Sequence, residues 1–340
     1  MKKIWLIILA IVGLAVTAGI MLYFGIGRAL AYFTSFNAGF FFIFLFFTIL
    51  TMTLFVLRWQ IILGLLKSRI PFNKLFSYKL SANSVNYIIP GFKMAGEPVR
   101  PILLKKHNVG TARAYTSLVV EKSLELVPDS SFILISSAIL IFHFALPKKA
   151  DAILTILSAI IMLFLILIFY YFYTGTRIVS SLLKKSGFHK LKFFKKHSTT
   201  IINIEKQTAH FFHTKKFIVL SLILMSFLIW FSVFFEYFFL IKSINVSVPL
   251  WVLFLIIFFV SMSYAVPSPA SLGSLEAGQV SLFSLLGMGA ALGLAVSLLI
   301  RLRDLLWTFI GLIFLYTEHI HLNKILSNSK NNKKRNNLKK

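Results

Sequence analysis

The stretch Asn86-Tyr87-Ile88-Ile89-Pro90-Gly91-Phe92-Lys93-Met94-Ala95-Gly96-Glu97-Pro98-Val99-Arg100 breaks a largely apolar segment, 75–106, that carries bases at both ends. Lys74 and Lys79 stand at its start; Arg100, Lys105 and Lys106 stand at its end. Lys and Arg beside membrane segments favour the cytoplasmic face. A single crossing would leave one of these clusters outside. A hairpin that dips into the bilayer and returns satisfies both. Pro cannot continue a helix and Gly permits tight turns, so the sequence predicts a tip at 90–96. Irregular backbone at membrane depth survives only when buried in protein or lining a wet cavity. The tip is therefore a candidate site rather than lipid-facing surface.

A second interrupted region, 249–290, repeats the pattern. Tyr264-Ala265-Val266-Pro267 parallels Tyr87-Ile88-Ile89-Pro90, and a Gly follows each Pro by six positions, at Gly96 and Gly273. Asn86 and Ser263 precede the two Tyr residues, and one offset of 177 aligns all of these. The span before the first motif, 38–66, ends inside, whereas the span before the second, 217–241, ends outside. The repeats, about 38–146 and 217–317, are then inverted across the membrane plane. Inverted repeats with broken helices place a ligand site near the midplane where they meet.

Composition agrees with a bilayer solvent. Of 340 residues 58% are hydrophobic and only 14% charged, and 37 are Phe. Soluble domains carry about 25% charged residues. Six segments are each long enough for a hydrocarbon core of about 30 Å: 4–26, 38–66, 111–146, 152–173, 217–241 and 292–317. The expected fold is an all-α, polytopic bundle in the cell membrane, with six full spans and two re-entrant hairpins. The first segment reads as a span that is retained, being too long for a signal h-region. The bases of 174–216 place that loop inside, and the Asn/Lys-rich tail 324–340 reads as disordered and also inside; Lys148 and Lys149 fall outside in this scheme. Both termini are then cytoplasmic.

The net charge of +26 follows first from this orientation rule and adds attraction to anionic headgroups. The basic loop, with Phe188, Phe193, Phe194, Phe211 and Phe212 interleaved, reads as an amphipathic segment for an anionic bilayer surface. Nucleic acid is not an expected partner, because the bases sit at span ends. There is no cysteine, which excludes disulfides and thiol nucleophiles. No phosphate-binding loop, dinucleotide glycine pattern, Gly-x-Ser-x-Gly or His-Glu-x-x-His occurs. His210 and His213 lack a carboxylate pair nearby, so neither a metal nor a cofactor is expected.

Ionisable residues inside apolar spans are costly and tend to pair or face water. The 111–146 segment holds Glu121, Lys122, Glu125 and Asp129; the 292–317 segment holds Arg301, Arg303 and Asp304. One expectation is that Glu121 or Glu125 pairs with Arg301 or Arg303 across the repeat interface; the other is that these charges snorkel to headgroup level. In the first motif Lys93 and Arg100 would attract a phosphate at a helix N-terminus, with Glu97 fixing Arg100 or taking a cationic group. Arg100 could equally be a cytoplasmic anchor. In the second motif Glu276 reads either as a functional acid or as an N-terminal cap for the following helix.

The order Arg58-Trp59, Asn86…Pro90-Gly91…Gly96-Glu97…Arg100, Glu121-Lys122…Glu125, Pro267…Gly273…Glu276-Ala277-Gly278 and Arg301 resembles the lysylphosphatidylglycerol synthase transmembrane-region, or flippase-like, family over nearly the whole chain. Departures are Lys122 and Glu125 where relatives carry Arg and Asp, and Ala270 and Ser271 where relatives are richer in Gly. The resemblance implies a lipid flippase module, residues 1–323, without the separate soluble synthase domain. It implies transport of an anionic, aminoacylated or polyisoprenoid lipid rather than catalysis, with a separate lipid synthase or glycosyltransferase as a conceivable partner. A membrane-embedded enzyme acting on lipid phosphates and a non-transporting scaffold are the rival readings. The candidate substrate-binding residues are Asn86, Pro90, Gly91, Lys93, Gly96, Glu97, Arg100, Glu121, Lys122, Glu125, Pro267, Gly273, Glu276, Arg301, Arg303 and Asp304.

Overall fold

Helices account for nearly every element of the computed structural model, which describes residues 2–90, 94–144, 147–174 and 192–337. In chain order they are α1 (Lys2–Phe24), α2 (Ile26–Ala31), α3 (Ala38–Leu65), α4 (Phe72–Ile88), α5 (Val99–Leu104), α6 (Thr111–His143), α7 (Lys148–Thr174), α8 (Lys192–Thr214), α9 (Lys216–Lys242), α10 (Leu250–Ala265), α11 (Ser274–Leu285) and α12 (Ala290–Asn337). No strand occurs among the described residues. The segments Ala38–Leu65, Thr111–His143, Asp151–Tyr170 and Lys216–Lys242 are long and apolar enough to cross a membrane; Ile11–Phe24 and Leu250–Ala265 are shorter apolar helices. α7 shows why lipid is the solvent: Ile153, Ile156, Ile160, Leu163 and Ile166 are all exposed, and a helix that is apolar all round needs an apolar surrounding.

Both interrupted regions are helix–break–helix. α4 ends at Ile88 and α5 begins at Val99; α10 ends at Ala265 and α11 begins at Ser274. Pro90 and Pro267 stand two residues past the helix ends, after the extended Ile89 and Val266; Pro disfavours the helical conformation in the residue before it and cannot itself continue the helix. The residue before each motif Tyr then ties its own hairpin together. Asn86 accepts a hydrogen bond from the Gly96 N–H at 2.6 Å. Ser263 donates to the Ser274 carbonyl at 2.9 Å, and Ser274 returns a bond to the Ser263 carbonyl at 3.0 Å. Gly96 has no room for a side chain, since a Cβ there would collide with the Ala82 carbonyl on α4.

Packing joins the elements in pairs. α3 lies along α9, α4 along α12, and α10 against both α6 and α11. Polar side chains bridge these seams: Thr51 with Ser232 at 2.9 Å, Ser84 to the Thr308 carbonyl at 2.9 Å, and Ser136 to the Phe254 carbonyl at 3.0 Å. Gly311 lets α12 approach Ser84 and Leu80 closely. Hydroxyls and small residues serve this purpose in hydrocarbon, where apolar burial no longer distinguishes a neighbour from lipid. An apolar core around Leu253, Ile256, Leu282, Phe283 and Val296 backs the second hairpin.

Two expectations need comment. The tail from 324 onward, read as disordered, continues as helix to Asn337. The physical reason is that an existing helix needs no new nucleus, so each added residue costs little. Part of the basic loop, 175–191, lies outside the described residues; its remainder forms α8, which packs on α6 and α7 with Phe211 and Phe212 buried.

Candidate functional site

Seven ionisable side chains meet where α3, α4, α5 and α6 converge. Glu121 is fully buried and faces three bases. Arg100 donates to one of its oxygens, Lys79 to the other at 3.2 Å, and Arg58 lies 3.7 Å away. Arg58 donates to Glu125 at 2.5 Å and to Ser226 of α9 at 2.7 Å. Arg100 also donates to Glu97 at 3.0 Å. Lys122 closes the ring, 3.2 Å from Glu97 and 2.8 Å from Glu125. Trp59 stacks under the Arg100 guanidinium at 3.8 Å, and its own N–H is held by Ser117 at 3.2 Å. Phe55 faces both Arg58 and Lys79. Charge on a ring face is favourable once water is removed. Four bases against three carboxylates leave this cluster cationic.

The second half builds its own network. Arg303 donates to Asp304 at 2.9 Å and to Glu236 of α9, with the Tyr237 and Tyr264 hydroxyls each 3.4 Å away. Tyr264 donates to Asp304. One base against two carboxylates leaves this cluster anionic. A few residues along, Arg301 grips the second break. It is paired with Glu276, donates to the Ala270 and Ser271 carbonyls at 3.0 and 3.2 Å, and reaches the Tyr87 hydroxyl at 3.5 Å. Glu276 meanwhile accepts from the Gly273 N–H at 3.1 Å, so it is both cap and counter-ion.

Arg301 holds strained backbone. Ala270 and Ser271 have φ of 52° and 49°, a left-handed conformation that costs roughly 1–2 kcal/mol per non-Gly residue. Gly, which lacks a Cβ, adopts this conformation without the clash. Ala270→Gly is expected to stabilise the fold by about 1 kcal/mol, less the flexibility Gly adds to the unfolded chain; a thermal midpoint at or below that of the parent in micelles would show that the strain is not there.

A cavity of about 320 Å³ separates the two networks. Lys79, Lys122 and Arg303 supply its positive lining; Glu97, Glu125, Glu236 and Asp304 supply the negative. Asn83, Asn86, Thr48 and Thr51 add neutral polar groups, and Phe55, Tyr87, Trp230 and Trp307 add aromatic walls. A site with both signs of charge and flat apolar walls suits the polar end of an amphiphile.

The expected pairing of Glu121 or Glu125 with Arg301 or Arg303 does not form. Each half satisfies its own charges, because nearer partners on adjoining helices reach them first. Arg100 is neither a cytoplasmic anchor nor part of the described cavity lining: it is fully buried and committed to Glu97 and Glu121. Arg301 likewise braces the break rather than facing the cavity. Asn86, Glu97, Lys122, Glu125, Arg303 and Asp304 do line it. Pro90, Gly96, Pro267, Gly273 and Glu276 shape the breaks. Gly91 and Lys93 lie outside the described residues. Arg58, Lys79, Glu236, Tyr237 and Tyr264 were missing from the expected set. Arg58 and Glu236 carry the signal that marks the others, an ionisable residue inside an apolar run. Asp129 accepts from the Trp230 indole at 2.6 Å on the same side of the bundle.

At the end of the bundle a smaller cluster clasps α12. Lys106 donates to the Glu318 carboxylate and, at 2.6 Å, to its backbone carbonyl; Lys74 donates to the same carboxylate at 3.3 Å. Burial works to raise the Glu318 carboxyl, but the bonds from Lys106 and Lys74 outweigh it and hold it below the usual range. His107 is pushed below its ordinary value by burial and by the Lys74 charge, so at neutral pH it meets the Tyr78 hydroxyl, 3.0 Å away, uncharged.

Compared with known proteins, residues 10–311 match the family model described as the lysylphosphatidylglycerol synthase TM region. No curated protein and no solved structure matches the chain.

Proposed function

We propose that this chain, which belongs to the lysylphosphatidylglycerol synthase transmembrane-region family, carries a membrane lipid between leaflets by holding its polar headgroup in the cavity between the two charge networks. The observation that carries this reading is the cavity itself. It lies between helices of both halves and is lined by bases and carboxylates that only a polar ligand would exploit. Lys122 is about a third exposed and Lys79 nearly buried; together they present positive charge to a headgroup phosphate. Arg303, with Glu236 and Asp304 opposite, would engage any amine or hydroxyls beyond it. Acyl chains would stay in lipid.

The pairing of α3 with α9, α4 with α12 and α10 with α6 supports a repeat related by a two-fold exchange: exchanging the two halves maps α3 onto α9, α4 onto α10 and α6 onto α12, which returns the α3–α9 pair to itself and swaps the other two. The bases of 174–216 and of the tail favour a topology with both termini inside. Transport is favoured over catalysis because, among the described residues, the cavity carboxylates are tied to bases or hydroxyls. None stands free as a base. A separate synthase would supply the lipid.

Vesicles of phosphatidylcholine doped with phosphatidylglycerol carrying a fluorescent headgroup test the reading, alongside native mass spectrometry of co-purifying lipids. The parent should speed exposure of the probe to an external quencher, and Lys79→Gln with Lys122→Gln should remove the gain. Probe exposure no faster than in protein-free vesicles overturns the proposal.

A further inference from the structure

We propose that the seam between α4 and α12 is the portal by which an anionic phospholipid reaches the central cavity, with its phosphate taking the place of Glu318 on Lys74. This rests on the lipid-handling reading above. A second cavity, about 580 Å³, opens on this seam between Phe72, Lys74 and Phe76 on one side and Phe314, Thr317 and Glu318 on the other. Its walls are aromatic and its rim is charged, the combination that a lipid headgroup with the first carbons of its chains presents in reverse.

The two cavities share their helices. Along α4, Lys74 faces the outer cavity, and Lys79, Asn83 and Tyr87 line the inner one. Steps of three to four residues keep a helix on one face, so Phe72 and Phe76 of the outer cavity share a face of α4 with Lys79, Asn83 and Tyr87 of the inner one, while Lys74 stands at the outer rim on another side of the helix. On α12, Glu318 and Thr317 belong to the outer cavity and Thr308, Trp307 and Asp304 to the inner one. Between the levels the helices touch tightly, at Ser84 with the Thr308 carbonyl and at Gly311. Passage therefore requires α12 to move off α4.

The clasp is built to release at one point. Lys106 is 8% exposed and holds Glu318 through two hydrogen bonds, whereas Lys74 is 41% exposed and contributes one, at 3.3 Å. Two bases share one carboxylate, which leaves positive charge directed at the outer cavity. A phosphate has more acceptors and is drawn to exposed ammonium groups as a point charge. Binding to Lys74 would relieve it of Glu318 and remove the only ion pair, among the described residues, that joins α4 to α12. Headgroup capture and seam opening then become one event.

The test uses the full chain in phosphatidylcholine nanodiscs containing phosphatidylglycerol with a photoactivatable group early in one acyl chain. Adducts should map to the peptides of Phe72, Phe76 and Phe314, and unlabelled phosphatidylglycerol should compete. Lys74→Ala should lower labelling roughly tenfold, the scale of one charge-assisted contact. Lys74→Arg should retain it, and Glu318→Gln should raise it severalfold. General unfolding cannot produce changes of opposite sign, so these variants control for one another. Equal labelling by a phosphatidylcholine probe, unchanged labelling in Lys74→Ala, or a fall in Glu318→Gln would overturn the portal. So would competition by glycerol phosphate as strong as that by the lipid, which would make this a site for soluble phosphates. Labelling needs no transport, so it stands or falls separately from the leaflet assay.

Discussion

Glu121→Gln is expected to lower the stability of the folded chain by about 3–5 kcal/mol, the usual cost of removing one partner from a buried ion pair. The carboxylate is wholly buried and is the common counter-ion of Arg100, Lys79 and Arg58. Gln keeps the shape and one acceptor but takes away the charge. The cluster then holds four bases against two carboxylates, with Arg58 and Arg100 themselves buried. Thermal unfolding in detergent, followed by the fraction remaining monodisperse, should show a midpoint lower by about 10 °C. Adding Arg100→Met restores the original charge balance and should recover part of the loss, although Glu97 then depends on Lys122 alone. A midpoint within about 2 °C of the parent would mean that water reaches Glu121 and that the cluster is not the buried network described. Trp59 would report the same event, since its ring lies against Arg100.

The two helix breaks were legible in the sequence because Pro and Gly act locally. Pro90 and Pro267 end helices whatever surrounds them, and Asn86 and Ser263 each bond within their own hairpin. Partner choice among the buried charges was not legible, because it depends on how each helix is rotated about its axis and on which neighbour it meets. One constraint could still have been read. Glu121 and Glu125 are four residues apart and share a face, as both do around Arg58. Arg301 and Arg303 are two apart, roughly 200° around a helix, so they could not serve one site; one braces the second break and the other faces the cavity. Glu236 was passed over because it stands alone in a long apolar run without a motif beside it, and Arg58, though quoted with Trp59 in the resemblance, was not carried into the candidate site. The Lys74–Lys106–Glu318 clasp joins residues 244 and 212 positions apart, and nothing in the spacing announces it.

Arg301→Met is expected to abolish leaflet redistribution while sparing most of the helical fold, because Arg301 is what holds the second break in shape. It neutralises Glu276, binds the carbonyls of the two left-handed residues, and touches Tyr87 of the first hairpin. Loss of the guanidinium leaves Glu276 buried and unpaired and frees Ala270 and Ser271 to relax. It also cuts the hydrogen bond from Arg301 on α12 to Tyr87, the Tyr of the first motif. Glu276→Gln removes the counter-ion but keeps the Gly273 cap acceptor, so it should be milder. If the two act as a unit, the double substitution costs less than the two single losses together, by about 0.5–3 kcal/mol. The same cycle run on Arg301 with Glu125 should show no coupling beyond about 0.5 kcal/mol, since Glu125 answers to Arg58 and Lys122. Strong coupling there, with none to Glu276, would put the charges back across the repeat interface and the break without its brace. The chain contains no cysteine, so single cysteines at Ser268 and Ser271 can report directly whether the break opens to water when Arg301 is lost.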